Sequence, residues 1–249
     1  MTAARLETAY STIEWSPDGE RVTKTRPATT DARRRFRNEL RVNRLLCATS
    51  PPVPTPALVA HAAARRSLSF VAVPGAPVGP KYPAALGIEQ IDAIADLGRR
   101  LGPYNPQRRW MRRLNSARRL TMAFRAGLLT GDQTAGLINV ARRAHTRLRF
   151  AHGDLTARNV LQGPGGMTLI DWEWAGLYPD GYELAFFWFS LVDVDGARAR
   201  IEAQLETDTT AFLLSALLVQ LWHLQWYVPV EFHAKHLATR DDLVSRVVG

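Results

Sequence analysis

The sequence predicts an α+β protein of two lobes: a small β-rich N-terminal lobe over residues 1–74 and a larger helical lobe over residues 75–249. Three observations predict it. Up to Val73 the chain alternates short β-type segments with turn signals and holds one helical stretch. From about Gly87 onward the apolar residues recur at helical spacing. One hairpin pattern, over residues 159–172, is embedded in that helical part. Strands gathered at one end and helices at the other read as an α+β layout.

The elements follow in order. A first strand fits within Ala3 to Ala9, with a turn near Ala9-Tyr10-Ser11, and Tyr10 to Trp15 alternates loosely. Ser16-Pro17-Asp18-Gly19 is a turn signal, and Arg21 to Thr25 alternates again, so the two segments predict a hairpin. Asp31 to Leu46 is the one helix of this part. It is capped by Thr30 or Asp31 and carries Phe36, Leu40, Asn43 and Cys47 at helical spacing. Cys47, the single cysteine, excludes an internal disulfide, and its place in that apolar pattern predicts a buried thiol. The proline-rich stretch Pro51 to Pro56 ends the helix. Leu58 to Ala62 and Leu68 to Val73 are two further strands, and Pro74-Gly75-Ala76-Pro77 marks the lobe boundary. Ile88–Leu101, Trp110–Leu128 and Asp132–Leu148 are predicted helices. Phe150 to Gln162 is a mixed loop with a short strand, Asn159 to Leu161. The turn Gly163-Pro164-Gly165-Gly166 returns the chain along Met167 to Trp172. Tyr182 to Val248 is mostly helical.

The N-terminus has no apolar stretch suited to a signal peptide. The longest apolar run, Ala211 to Trp222, is broken by Ser215 and Gln220 and is shorter than the ~20 residues of a membrane span. A cytoplasmic protein without a membrane partner is the expectation. The formal net charge of +9 is unevenly spread. Residues 172–249 hold 5 basic and 11 acidic residues, whereas residues 1–171 hold 27 basic and 12 acidic. A basic front and an acidic rear suit a cleft that takes an anion from one side and a cation from the other.

Phosphoryl transfer asks a protein for a carboxylate beside the acceptor hydroxyl and for hard oxygen ligands that hold a cation against the phosphates. The segment from Phe150 to Leu161 contains such a set. Asp154 is placed to orient or deprotonate a hydroxyl, and Asn159, five residues on, offers an amide oxygen to Mg²⁺. Asp171 ends the second strand of the hairpin, which returns it beside Asn159.

His152-Gly153-Asp154 with Asn159, followed by Ile170-Asp171-Trp172-Glu173, resembles the catalytic and metal-binding motifs of the aminoglycoside phosphotransferase and choline kinase-like family, which has a protein-kinase-like fold. The continuation Trp174 to Asp180 and Glu183-Leu184-Ala185 is similar as well. The resemblance covers roughly residues 10 to 230. It implies a protein-kinase-like bilobal fold and Mg²⁺-dependent transfer of the γ-phosphoryl group of ATP, or of GTP in its place, to a hydroxyl of a small molecule. It makes Asp154 the base, Asn159 and Asp171 the metal ligands, Lys24 the phosphate-binding lysine, and Glu39 the ion-pair partner of Lys24. His152 becomes a structural brace. Phe70 to Gly75 matches the strand and hinge whose backbone meets adenine, which points to Ala72 and Val73. Lys24 is one of only three lysines, with Lys81 and Lys235.

The chain departs from the family where the phosphates are covered, for no glycine precedes Gly19. Ser11 is the expected replacement, through its backbone N–H or its hydroxyl. The acidic C-terminal third favours a cationic acceptor such as a basic antibiotic, which would make the protein a resistance enzyme. Glu231, Asp193 and Asp195 are the expected selecting carboxylates. A metabolic sugar or amino-alcohol kinase is the alternative. The missing glycines also allow an inactive kinase-like binding module. A predicted basic helix with Arg108, Arg109, Arg112, Arg113, Arg118 and Arg119 allows nucleic-acid binding, although a solvated helix face explains it better. Trp222, Trp226, Tyr227 and His223 form an aromatic stretch in the region where the family binds acceptors.

Overall fold

A computed structural model describes residues 4–8, 10–81, 85–104, 110–206, 208–227 and 233–248. The N-terminal part is an antiparallel sheet of β1 (Arg5–Glu7), β2 (Thr12–Trp15), β3 (Arg21–Thr25), β4 (Leu58–Ala62) and β5 (Ser67–Val71), in spatial order β1-β2-β3-β5-β4. The Ser16–Gly19 turn joins β2 to β3, and Gly19 supplies the left-handed residue with φ 75°. Lys24 lies opposite Leu68 in the β3–β5 register, on the face covered by helix α1 (Thr30–Ala48). The cap of α1 is Thr29, one residue earlier than expected, and its hydroxyl accepts the Ala32 N–H at 3.2 Å.

Cys47 corrects a second expectation, because its thiol is exposed. The buried face of α1 is Ala32, Phe36, Glu39, Val42, Asn43 and Leu46. Cys47 falls just off that face in the last turn, where its Sγ accepts the Leu58 N–H at 3.4 Å.

The C-terminal part starts with β6 (Ala76–Pro77) and α2 (Ile88–Leu101) and continues with α3 (Ser116–Arg125) and α4 (Gly131–Ala144). Strands β7 (Leu148–Ala151), β8 (Val160–Gly163), β9 (Gly166–Leu169) and β10 (Gly176–Pro179) follow. They form the sheets β6-β8-β9 and β7-β10. The chain ends in α5 (Tyr182–Ser190), α6 (Ala197–Ala203), α7 (Thr209–Trp226) and α8 (His233–Val248).

The helix expected over Trp110–Leu128 is shorter. Asn115 caps α3 by accepting the Arg118 N–H at 2.9 Å. Before it, the chain is extended against β10: the Leu177 N–H donates to the Arg112 carbonyl at 2.7 Å, and the Leu114 N–H donates to the Leu177 carbonyl at 3.0 Å. The arginines therefore form no single basic helix. Arg112 and Arg113 belong to the extended segment, Arg118 and Arg119 to α3, and Arg108 and Arg109 lie outside the described residues. The end expected for the next helix, Leu148, is strand instead, because residues 148–151 pair with β10.

All nine residues of α5 are buried, as is every residue of α7 from Ala211 to Leu221. A helix apolar on every side belongs in a core. That accounts for the long apolar run, and no described helix is long and apolar enough to cross a membrane.

Candidate active site

The loop from His152 to Asn159 leaves β7 and enters β8. It begins with a constraint only glycine meets. Gly153 has φ 79°, and a Cβ there would lie 2.7 Å from both the Trp174 carbonyl oxygen and the Tyr178 hydroxyl. His152 is fully buried and donates from Nε2 to the Ile170 carbonyl at 2.8 Å, which ties the loop to the strand leading into Asp171. Burial pushes the imidazole pKa down, so the ring is neutral and acts as the expected brace. From beneath, the Glu183 Oε2 accepts the Gly153 N–H at 3.1 Å. Burial pushes the Glu183 carboxyl up to about 8.

The hairpin brings the expected trio together. Asn159 spends its Nδ2 on the Asp154 carbonyl and on Asp154 Oδ2, both at 2.9 Å, which leaves Oδ1 as its free ligand atom. The Ile170 N–H donates to the Asn159 carbonyl at 2.9 Å, so the next residue, Asp171, stands beside Asn159. Asp171 has φ 65°, uncommon for a non-glycine residue and common at functional sites. Its side chain is 35% exposed to the cavity. Asn159 and Asp171 thus offer the hard oxygens a divalent cation takes.

Lys24 and Glu39 meet as expected, with Nζ and Oε1 3.1 Å apart. Lys24 also reaches Asp171 Oδ1 at 2.6 Å and Glu173 Oε2 at 3.7 Å. Burial disfavours its ammonium, but Asp171 and Glu39 outweigh burial and raise its pKa above the ordinary lysine value. For Asp171 burial likewise works against the charge, and the Lys24 ammonium holds the carboxyl below its usual range. Arg26 joins the group, 2.6 Å from Glu39 and ion-paired to Glu173. Oxygens of Glu39, Asp171 and Glu173 lie within 4.8 Å of one another. Lys24 and Arg26 already compensate Glu39 and Glu173, which are nearly buried, whereas Asp171 keeps part of its carboxylate exposed beside Asn159.

Several participants were missed in the sequence. Arg26 carried a signal, because it stands two residues from Lys24, one past the end of β3, and side chains two apart along an extended chain share a face. Glu173 stands two residues after Asp171. Lys81 carried none beyond its rarity. Its Nζ donates to both Asp154 oxygens, at 2.8 and 3.1 Å. Burial opposes the charge on Lys81 and Asp154 outweighs it, so its pKa is raised.

These groups line one cavity of about 780 Å³ that runs from Val73 to Tyr227. At its nucleotide end the glycine-free turn is closed by Thr8. The Ser11 N–H donates to Thr8 Oγ1 at 3.0 Å, and Thr8 Oγ1 donates to the Ser11 carbonyl at 2.9 Å. The Ser11 N–H is therefore already engaged, while Thr8, Tyr10 and Ser11 all line the cavity. Val73 lines it too. Ala72 does not, and its N–H donates to the Glu20 carbonyl at 2.8 Å. At the far end stand Tyr182, Phe186, Phe189, Trp222, His223 and Tyr227, with Arg119. Trp226 points away and is exposed. Two of the expected acidic selectors are elsewhere, for Asp193 is ion-paired to Lys235 and neither it nor Asp195 lines the cavity; the third, Glu231, lies outside the described residues.

The fold is protein-kinase-like, a β-sheet region followed by a helical part. It is similar to a choline/ethanolamine kinase family protein from Mesorhizobium loti, at TM-score 0.67 and 14% identity over 99% of this chain and 87% of that one. A choline kinase from Streptococcus pneumoniae has TM-score 0.67 at 11% identity, over 99% and 94% of the two chains. An ADP-bound aminoglycoside phosphotransferase, APH(2'')-Ib, has TM-score 0.63 at 13% identity, over 100% and 95%. Likenesses at such identities show the fold alone. No curated protein matches the chain in sequence. The family model described as the phosphotransferase enzyme family matches residues 10–214, most of the chain and every member of the Lys24, Glu39, Asp154, Asn159 and Asp171 set, and the chain therefore belongs to the phosphotransferase enzyme family.

Proposed function

We propose that this protein transfers the γ-phosphoryl group of ATP, or of GTP, to a hydroxyl of a small molecule, with a nucleotide lobe over residues 1–74 and a catalytic lobe over 75–249. The observation that carries the reading is the convergence of Asp154, Asn159, Asp171 and the Lys24–Glu39 pair on one cavity. Asp154 orients the acceptor hydroxyl and takes its proton. Asn159 fixes the Asp154 carboxylate through Nδ2. Lys24, aimed by Glu39, holds the nucleotide phosphates as a compact point charge. Asn159 Oδ1 and Asp171 would hold Mg²⁺, which supplies charge neutralisation on the phosphates. Val73, with Phe70, forms the adenine end of the cavity, and the Ser11 hydroxyl, 3.1 Å from Thr8 Oγ1, serves a phosphate only by leaving that partner. Lys81 holds both Asp154 oxygens, sharing Oδ2 with Asn159, until substrate binds.

Solved structures of the same fold contain ADP, AMP, or GDP with kanamycin, and these support a purine nucleotide as donor. The cationic acceptor and resistance role expected from the sequence rest on that likeness alone, since Asp193 and Asp195 do not line the cavity.

The test is nucleoside diphosphate release across basic antibiotics, amino alcohols, sugars and hydroxy acids, with Asp154→Asn as control. Acceptor-dependent release that drops about 10²–10⁴-fold in the variant supports the reading. Tight Mg²⁺–nucleotide binding with release from no acceptor favours a non-catalytic binding module.

A further inference from the structure

Three cations line the cavity, and each lies over an aromatic ring. The Arg119 guanidinium is 5.1 Å from the Trp222 ring centre and 5.8 Å from that of Tyr182, and it donates to the Tyr182 hydroxyl at 3.0 Å. Arg35 lies 4.6 Å from the Trp174 ring and 5.2 Å from the Tyr10 ring. Lys81 Nζ is 5.9 Å from the Phe186 ring. Aromatic faces are what a protein offers to an organic cation. Here the chain's own cations already lie over them.

The carboxylates tell the same story. Among the described residues the cavity is lined by Glu39, Asp154, Asp171 and Glu173, and each is ion-paired to Lys24, Arg26, Arg35 or Lys81. Arg119 also lines the cavity and has no carboxylate partner among them. His223, between Phe186 and Phe189, is held neutral: burial and then Lys81 push its pKa down to about 3. This end of the cavity is thus apolar-walled and positive. A cationic acceptor would meet like charge there. An oxyanion would meet the guanidinium fork of Arg119, whose free N–H groups suit two oxygens at once.

Resting on the phosphotransferase reading of the same cavity, we propose that the acceptor is an anion: a hydroxyl compound with an aromatic or otherwise apolar body bearing a carboxylate or phosphate group, seated against Trp222 and Tyr182 with its oxyanion on Arg119. Its hydroxyl then points toward Asp154. Lys81 stays paired with that carboxylate, which leaves Arg119 as the anchoring charge.

Calorimetric titration of the Mg²⁺–nucleotide-loaded protein with four benzyl alcohols of matched size tests this. Their para substituents are carboxylate, phosphate, methyl and aminomethyl. One or both anions are expected to bind at least about 10-fold more tightly than the aminomethyl compound, a difference of the size interfacial charge complementarity supplies. The two anions separate a carboxylate acceptor from a phosphorylated one. Arg119→Gln should abolish that preference, and Arg119→Lys should keep most of it, with Mg²⁺–nucleotide affinity as the check that each variant is folded. Equal or tighter binding of the aminomethyl compound overturns the proposal. So does a preference that survives Arg119→Gln, or the absence of measurable binding by either anion at millimolar concentration. Failure of the wild-type protein to bind Mg²⁺–nucleotide would sink the phosphotransferase reading instead, and the charge preference can still be read on the free protein.

Discussion

Replacing Lys24 by methionine keeps the apolar stem and deletes the ammonium. Three carboxylates lose a partner: Asp171 at 2.6 Å, Glu39 at 3.1 Å and Glu173 at 3.7 Å. Glu39 and Glu173 keep Arg26, so the uncompensated charge falls on Asp171. Removing one partner of a buried pair costs about 3–5 kcal/mol. The Asp171 side chain is 35% exposed, and the water reaching it lowers that cost to about 2–3 kcal/mol. In a chain of this length each kcal/mol moves Tm by about 2–4 °C, so Tm should fall by roughly 4–12 °C at pH 7. The Lys24 pKa is raised in the fold, so its contribution is complete at every pH below its ordinary 10.5. The Asp171 pKa is lowered, so its contribution is present above the ordinary 3.8 and is lost as pH falls below it. The gap between the two proteins should therefore be full at pH 7 and close under strong acid. Mg²⁺ alone should stabilise the variant more than the wild type, because the ammonium no longer competes for Asp171, whereas Mg²⁺–ATP affinity should fall. Thermal melts with and without Mg²⁺ and nucleotide measure all of this. A variant as stable as wild type at pH 7, or equal Mg²⁺ shifts in the two proteins, would refute the reasoning.

Glu183 gives a pH signature of opposite sign. Its carboxyl is raised from 4.5 to about 8 in the fold, so the unfolded chain releases this proton first and stability drains away between those values, by up to about 1.4 kcal/mol per pH unit. Glu183→Gln stays neutral, and its Tm relative to wild type should climb from pH 4.5 to 8; a constant difference means ordinary titration. Gly153→Ala meets both a left-handed φ of 79° and contacts of 2.7 Å, so Tm should drop and diphosphate release should fall further as Asp154 is displaced. Wild-type Tm and turnover would show that the loop yields freely. Cys47 is exposed, so Ellman's reagent should label one thiol per native chain within minutes, and labelling that needs denaturant would return Cys47 to the core.

How far the site was legible depended on how locally each contact is encoded. Asp154, Asn159 and Asp171 lie within one loop and one hairpin, so counting residues along the chain is enough to bring them together. Lys24 and Glu39 were legible through the family resemblance, which expects a lysine on this strand and its ion-pair partner on the next helix. Lys81 reaches Asp154 across 73 positions, and no local pattern carries such a contact. The same limit hid the start of α3. The stretch before Ser116 reads as helix on its own, but its backbone finds a partner in Leu177 of β10, and Asn115 supplies a cap where the strand-like stretch ends. Tertiary pairing overrode local propensity there.

Charge misled for a related reason. A net count over residues 172–249 suggests an acidic surface facing the acceptor, yet a sum of charges says nothing of which are already paired. Asp180 is paired with Arg149, Asp193 with Lys235 and Glu202 with Arg246, and Asp208 caps α7. Glu173 is held by Arg26 and Arg35, and Glu183 sits under the Gly153 N–H. Much of that acidic count is engaged in holding the helical lobe together and in bracing the 152–159 loop, while Asp195 and Glu206 are exposed and do not line the cavity. What reaches the cavity is the remainder after pairing, and among the described residues at its far end that remainder is Arg119. The sign of an acceptor site follows from its unpaired groups, and here they point to an oxyanion.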